Sequence, residues 1–196
     1  MSRGRPKEFD PDAALGAAIE AFWQKGYQRT CIADLTRAMG IGRQSLYDTF
    51  GDKRQVFMAA LDRYSEERFL DFKAGLEAAE DRLSYLRERS EGLARGEVGE
   101  PRGCLAMNAL PLFLGRDPEV EALLKRHLDR YRDCIAQVFA EEQAEGRLAC
   151  DLPPKTLAEG LMILIQGMSQ TCCDSEPEHL KGAIAVSGYL LRPKSG

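Results

Sequence analysis

Between Met39 and Lys53 the chain reads MGIGRQSLYDTFGDK, and its polar side chains suit contact with nucleic acid. An Arg fork can pair with the O6 and N7 atoms of guanine, and a Gln amide with N6 and N7 of adenine. Ser and Thr hydroxyls suit phosphate oxygens. Arg43, Gln44, Ser45, Tyr47, Asp48 and Thr49 supply these groups in one short run, and Lys53 follows at the start of a further helix. There an ammonium beside free backbone N–H groups suits a phosphate. Leu46 and Phe50 recur four residues apart, so a helix here buries one face and leaves the polar row on the other. The same pattern also fits a short core helix with a solvated polar face.

Such a helix needs others to hold it. Asp10 is a good N-cap, Pro11 suits a first helical position, and Leu15, Ala18, Ile19, Phe22 and Trp23 share one face. Gly26 can end this helix. Thr30 offers a cap for a second, in which Ile32, Leu35 and Met39 repeat at helical spacing, and Gly40 punctuates it. Two helices, a glycine turn and a third helix with a polar outer face describe a helix-turn-helix unit. Gly51-Asp52 closes the third helix and caps a fourth, whose stripe is Val56, Phe57, Ala60, Leu61 and Tyr64, then Phe69. The N-terminal arm SRGRPK cannot pack a core. Its Arg3 and Arg5 suit either a solvated tail or an arm reaching DNA.

Further along, 78–94 reads as one amphipathic helix and 95–103 as a loop. Residues 104–115 read as an apolar helix that Pro111 should kink or interrupt. A long helix spans about 117–145, another opens at Pro153-Pro154, and a last one covers about 178–191. No strand alternation and no internal repeat are found. The chain therefore reads as all-α with about nine helices.

A net charge of −4 alone argues against a nucleic-acid binder, yet residues 1–54 carry nine Lys/Arg against seven Asp/Glu. A mildly basic head on an acidic body fits a DNA-binding segment joined to a non-binding domain. No apolar run is long enough for a membrane span and no signal-like segment follows the polar N-terminus, so a cytoplasmic protein without a membrane role is expected. The six cysteines are then expected as thiols, and none lies in a Cys-x-x-Cys pattern. No cofactor is implied. The two histidines, His127 and His179, have no nucleophile beside them in sequence, and an enzyme is not expected.

The block TCIADLTRAMGIGRQSLYDTFGDK, with RGRP and AFWQKGY before it, resembles the helix-turn-helix signature of the tetracycline-repressor (TetR/AcrR) family. RGCLAMNAL is similar to a segment in a branch that includes acrylate- and copper-associated regulators. The resemblance implies a homodimeric, ligand-responsive transcriptional regulator, a repressor that a small molecule releases from a palindromic DNA operator. It implies a DNA-binding domain over 1–54 and a ligand-binding and dimerisation domain over 55–196. Carried over by position, Thr30, Arg43, Gln44, Ser45, Tyr47 and Lys53 would touch DNA. Gly42, Gln44, Thr49 and Cys31 depart from the residues frequent in the family; Thr49, where Tyr or His is frequent, is expected to meet DNA through its hydroxyl.

A pocket among the central helices would draw on Phe57, Leu61, Tyr64, Met107, Asn108, Leu110, Phe113, Tyr131, Cys134, Met162 and Gln166, each of which simple core packing also explains. LAEGLMILIQGMSQ is too apolar to face water on all sides and suits a dimer interface. Cys104, Cys172 and Cys173 are candidates for a thiol sensor. Cys172, Cys173, Asp174 and His179 match no standard metal spacing, so no metal site is expected.

Overall fold

The computed structural model describes residues 9–94, 103–171 and 180–194. Among them are nine helices: α1 (Pro11–Arg29), α2 (Ile32–Met39), α3 (Arg43–Phe50), α4 (Lys53–Ala78), α5 (Arg82–Ala94), α6 (Leu105–Phe113), α7 (Pro118–Ala144), α8 (Pro154–Thr171) and α9 (Lys181–Leu190). The fold is all-α, as expected; an isolated antiparallel bridge pairs Leu148 with Pro193. No helix of the described residues is long and apolar enough to cross a membrane.

Two compact units divide after Tyr64: Met1–Tyr64 and Ser65–Gly196. This division falls after the expected boundary at 54/55, and ring packing accounts for the difference. Phe57 meets Phe22 edge-on at 5.0 Å between centroids and lies 4.7 Å from Tyr27, while Tyr64 meets Trp23 at 5.4 Å. The first three turns of α4 thus complete the core of the first unit. Phe57, Leu61 and Tyr64, expected to line a pocket, are buried in that core.

In the first unit Asp10 caps α1 by accepting the Asp12 N–H at 2.9 Å. Gly26 leaves helical geometry at φ 74°, ψ 160°, a conformation open to glycine, and breaks α1 where the sequence suggests. The cap of α2 is Cys31 rather than Thr30. Cys31 directs both its N–H (3.0 Å) and its thiol (3.1 Å) at the Asp34 carboxylate, which also accepts from Lys25 at 2.6 Å. The Lys25 hydrogen bond, with those from Cys31, holds the Asp34 carboxyl far below the usual carboxylate range. This contact ties α1 to α2.

In the second unit, Phe69, Phe72 and Leu76 of α4 pack with Leu83 and Leu86 of α5, Ile135 and Phe139 of α7, and Leu157, Leu161 and Met168 of α8. The helix read over 78–94 is split, because α4 runs on to Ala78 and Asp81 caps a new start. Its carboxylate accepts the Ser84 N–H at 2.9 Å and hydroxyl at 2.7 Å. Pro111 does not interrupt α6: the helix continues to Phe113, and the Leu114 N–H returns to the Leu110 carbonyl at 3.0 Å. Asp117 and Glu145, read as the ends of the long helix, are the caps of α7. The last helix is described over Lys181–Leu190, and residues 172–179, where its expected start falls, lie outside the described set. So do Cys172, Cys173, Asp174 and His179.

Glu142 is 4% exposed on α7 and sits between two guanidinium groups. Arg82 donates to it at 2.6 Å and to Glu141 at 2.5 Å, and Arg147 donates at 2.6 Å. Bonds from Arg147 and Arg82 hold the Glu142 carboxyl below its ordinary value. A depressed carboxyl contributes stability above the ordinary glutamate value and loses it as pH falls through the lower folded value. Glu142→Gln is therefore expected to destabilise the second unit at neutral pH by about 2–3 kcal/mol. It should also flatten the acid limb of a plot of Tm against pH. Equal acid limbs for the variant and the parent would disprove the linkage.

Candidate functional site

α3 is held from below and open above. Leu46 is fully buried and Phe50 half-buried, whereas Arg43, Gln44, Tyr47 and Asp48 are exposed and Ser45 and Thr49 half-exposed. The turn before it is built by backbone. Gly40 adopts φ 65°, ψ 28°, and the Ile41 N–H returns to the Thr36 carbonyl at 3.2 Å, closing α2 in a Schellman arrangement. Gly42 caps α3 without a side chain, as the sequence implies. At the far end, Gly51 takes φ 83° so that Asp52 and Gln55 can form a reciprocal capping box, both bonds 2.9 Å. A Cβ on Gly51 would lie 1.8 Å from the Gln55 oxygen.

The exposed side chains of α3 are paired one turn apart. The Arg43 guanidinium lies 5.7 Å from the Tyr47 ring centroid and its Nη2 donates to the hydroxyl at 3.4 Å. Gln44 Nε2 donates to Asp48 Oδ1 at 2.8 Å. Lys53 is half-buried at the start of α4, with its ammonium 4.4 Å from the Tyr27 centroid and 3.5 Å from the Gln28 carbonyl.

Thr30 departs from the expectation. It is buried, and its hydroxyl donates to the Gly26 carbonyl at 2.8 Å, closing the broken end of α1. Its side chain therefore holds the head together and is withdrawn from the surface set. Arg3 and Arg5 lie outside the described residues. The Cys31–Asp34 cap was missed, although a polar residue followed three positions later by a carboxylate is a readable signal.

The residues expected around a pocket do not form one group. Met107 and Met162 belong to the core of the second unit, with Cys104, Leu110, Tyr131 and Cys134 packed against it. Phe113 is buried on α6, Gln166 is half-buried on α8, and Asn108 is exposed. Tyr131 stands among rings, 5.1 Å from Phe69 and 5.0 Å from Phe72. Burial first, and then the neighbouring Cys104, push its hydroxyl well above the ordinary tyrosine value. Tyr85 joins Phe72 at 6.0 Å, and Arg89 lies about as far from both rings. Neither residue was singled out by sequence, since long-range ring packing leaves no local signal. Gly75 gives Tyr85 room: a Cβ there would lie 2.4 Å from the Tyr85 hydroxyl, which bonds the Phe72 carbonyl at 3.1 Å. Cys104 is the half-buried N-cap of α6. Burial raises the Cys134 thiol, which disfavours the reactive thiolate there. No set of three His, Cys, Asp or Glu side chains able to hold a metal occurs among the described residues.

A buried anchor, a glycine turn and an outward polar helix make the first unit a helix-turn-helix head of the DNA-reading kind. Comparison with known proteins agrees. Residues 14–60 match the profile "Bacterial regulatory proteins, tetR family", and residues 79–185 match "Tetracyclin repressor-like, C-terminal domain". The chain belongs to the tetR family of bacterial regulatory proteins. It is 33% identical over 194 residues to the HTH-type transcriptional repressor ComR of Escherichia coli K12, covering 97% of this chain and 91% of that protein. It is 34% identical over 177 residues to the transcriptional regulator AcuR of Cereibacter sphaeroides, covering 84% and 79%. Among solved structures, a cysteine mutant of the TetR family regulator CifR, complexed with 26-bp double-strand operator DNA, superposes with a TM-score of 0.77. The two are 30% identical over 96% of this chain and 98% of that one.

Proposed function

We propose that the protein is a cytoplasmic, homodimeric transcriptional repressor that binds a palindromic double-stranded operator and leaves it when a small molecule occupies the second unit. The outward row on α3 carries this reading: Arg43, Gln44 and Tyr47 are exposed on a helix anchored by buried Leu46. Ser45, Thr49 and Lys53, with Arg3 and Arg5 of the arm, are assigned to backbone contacts around it. The operator-bound relative supports the assignment. Titration of the purified chain against DNA upstream of its own gene, at several salt concentrations, tests it. A specific complex whose affinity falls steeply with salt is expected; equal affinity for unrelated duplexes would refute it.

Dimerisation is assigned to α8 and α9. Ile163, Val186 and Tyr189 are 67%, 50% and 66% exposed, an unusual display for side chains of this size. Gly182 and Gly188 face open space where another helix could approach closely. Ile163→Ala is expected to raise the dimer dissociation constant about tenfold, read by sedimentation equilibrium. An unchanged constant would move the interface elsewhere.

The effector is assigned to the region around Tyr131, with Cys104, Met107, Cys134, Met162 and Gln166 as candidate neighbours. A second reading has one observation in its favour, the half-buried Cys104 beside Tyr131 at the start of α6. In it, modification of this thiol supplies the releasing signal. Operator release by oxidants and electrophiles that persists in Cys104→Ser would remove that reading.

A further inference from the structure

We infer that Asp48 sets the base preference of α3 by holding the amide of Gln44. The inference rests on the assignment of α3 as the DNA-reading helix. Gln44 and Asp48 are both exposed and one turn apart, joined by the 2.8 Å bond from Gln44 Nε2 to Asp48 Oδ1. A solvent-exposed glutamine amide turns over easily, because its last torsion is broad and roughly two-fold. Unheld, it offers oxygen or nitrogen to a base edge with little discrimination. Adenine requires both faces at once: the amide oxygen accepts from N6–H, and the N–H on the same side as that oxygen donates to N7. The other N–H is left over, and it is the one Asp48 can take. The carboxylate accepts only, so it selects the nitrogen end of the amide and leaves the oxygen directed away.

Charge supports the same reading. A carboxylate on a face turned toward phosphates is repelled by them, so Asp48 weakens attraction to DNA of any sequence. A device that lowers general affinity while fixing one amide raises the ratio of specific to non-specific binding. The neighbouring pair behaves in parallel, since Tyr47 holds the Arg43 fork by its ring and hydroxyl. Asp48 is thus a positioning residue, acting through Gln44.

The test is selection from a randomised double-stranded DNA library by the full chain, followed by sequencing, for the parent, Gln44→Ala, Asp48→Ala, Asp48→Asn and the double alanine variant. The parent should show an adenine-preferring position in each half-site. Gln44→Ala and Asp48→Ala should each reduce that preference by about fivefold or more, and the double variant should reduce it no further than Gln44→Ala. Asp48→Asn offers a donor as well as an acceptor, so it no longer selects the nitrogen end of the amide and should also lose much of the preference. Asp48→Ala should also bind unrelated duplexes more tightly than the parent. Loss of an exposed carboxylate should leave the melting temperature unchanged, which separates these effects from unfolding. An adenine preference that survives in Asp48→Ala would overturn the inference and leave the DNA-reading assignment standing. So would a loss confined to a cytosine position, which would mean that Asp48 reads a base itself. Enrichment of no sequence by the parent would defeat the assignment and the inference together.

Discussion

Arg43→Ala is expected to weaken operator binding about thirtyfold or more without unfolding the protein. A bidentate Arg–guanine pair contributes about 1–3 kcal/mol of discrimination, and a two-fold operator presents the contact twice. Arg43 is exposed, so its removal leaves no cavity in the head. Tyr47→Ala should act in the same direction and less strongly, because it removes the ring and hydroxyl that hold the guanidinium. Salt titration separates base reading from phosphate contact. Lys53→Ala should lower the salt slope by about one unit per subunit, whereas loss of a base contact leaves the slope nearly unchanged. Gel-shift titrations in which Arg43→Ala and Tyr47→Ala both bind like the parent would place the reading surface elsewhere.

The head was legible in the sequence because its determinants are local. Asp10 and Pro11 start α1, Gly26 breaks it, Gly40 turns the chain, and Asp52 with Gln55 starts α4. Each acts within five residues, where sequence spacing is itself the geometry. The spacing of Leu46 and Phe50 likewise decided which side of α3 faces out. The second unit was legible in its helices and obscure in its contacts. Arg82 finds Glu142, and Tyr85 finds Gly75 and Phe72, by packing between helices that no periodicity announces. Thr30 shows the converse limit. Its type fits a cap or a phosphate ligand, and only the break at Gly26 reveals that its hydroxyl is needed inside. Asn108 was expected among the pocket residues, yet it lies on the exposed side of α6. Composition told of an apolar segment without fixing which residues of α6 face inward.

Phe57 provides the sharpest test of where the head ends. On the expected boundary it would line an effector pocket, and its loss would alter ligand response first. In the structure it is 1% exposed and wedged between Phe22 and Tyr27. Tyr27 in turn carries the Lys53 ammonium on its face. Phe57→Ala removes a fully buried ring and is expected to cost about 3–5 kcal/mol. That is a large fraction of what a unit of this size has available. Amide hydrogen exchange should show protection lost across α1, α2 and α3 and retained in α7 and α8, with operator binding lost in parallel. Phe57→Leu, which keeps most of the apolar volume, should recover much of both. The opposite pattern, with an intact, operator-binding head and a shifted effector response, would return Phe57 to a pocket and move the boundary back toward residue 54. The physical ground for expecting the first pattern is that Phe57 has two aromatic partners from the head, and an edge-on or tilted ring pair contributes about 0.5–1.5 kcal/mol beyond the area it buries. Those partners belong to the helix that carries the Gly26 break, so loss of the ring loosens the element on which α2 packs, and through α2 the seat of α3.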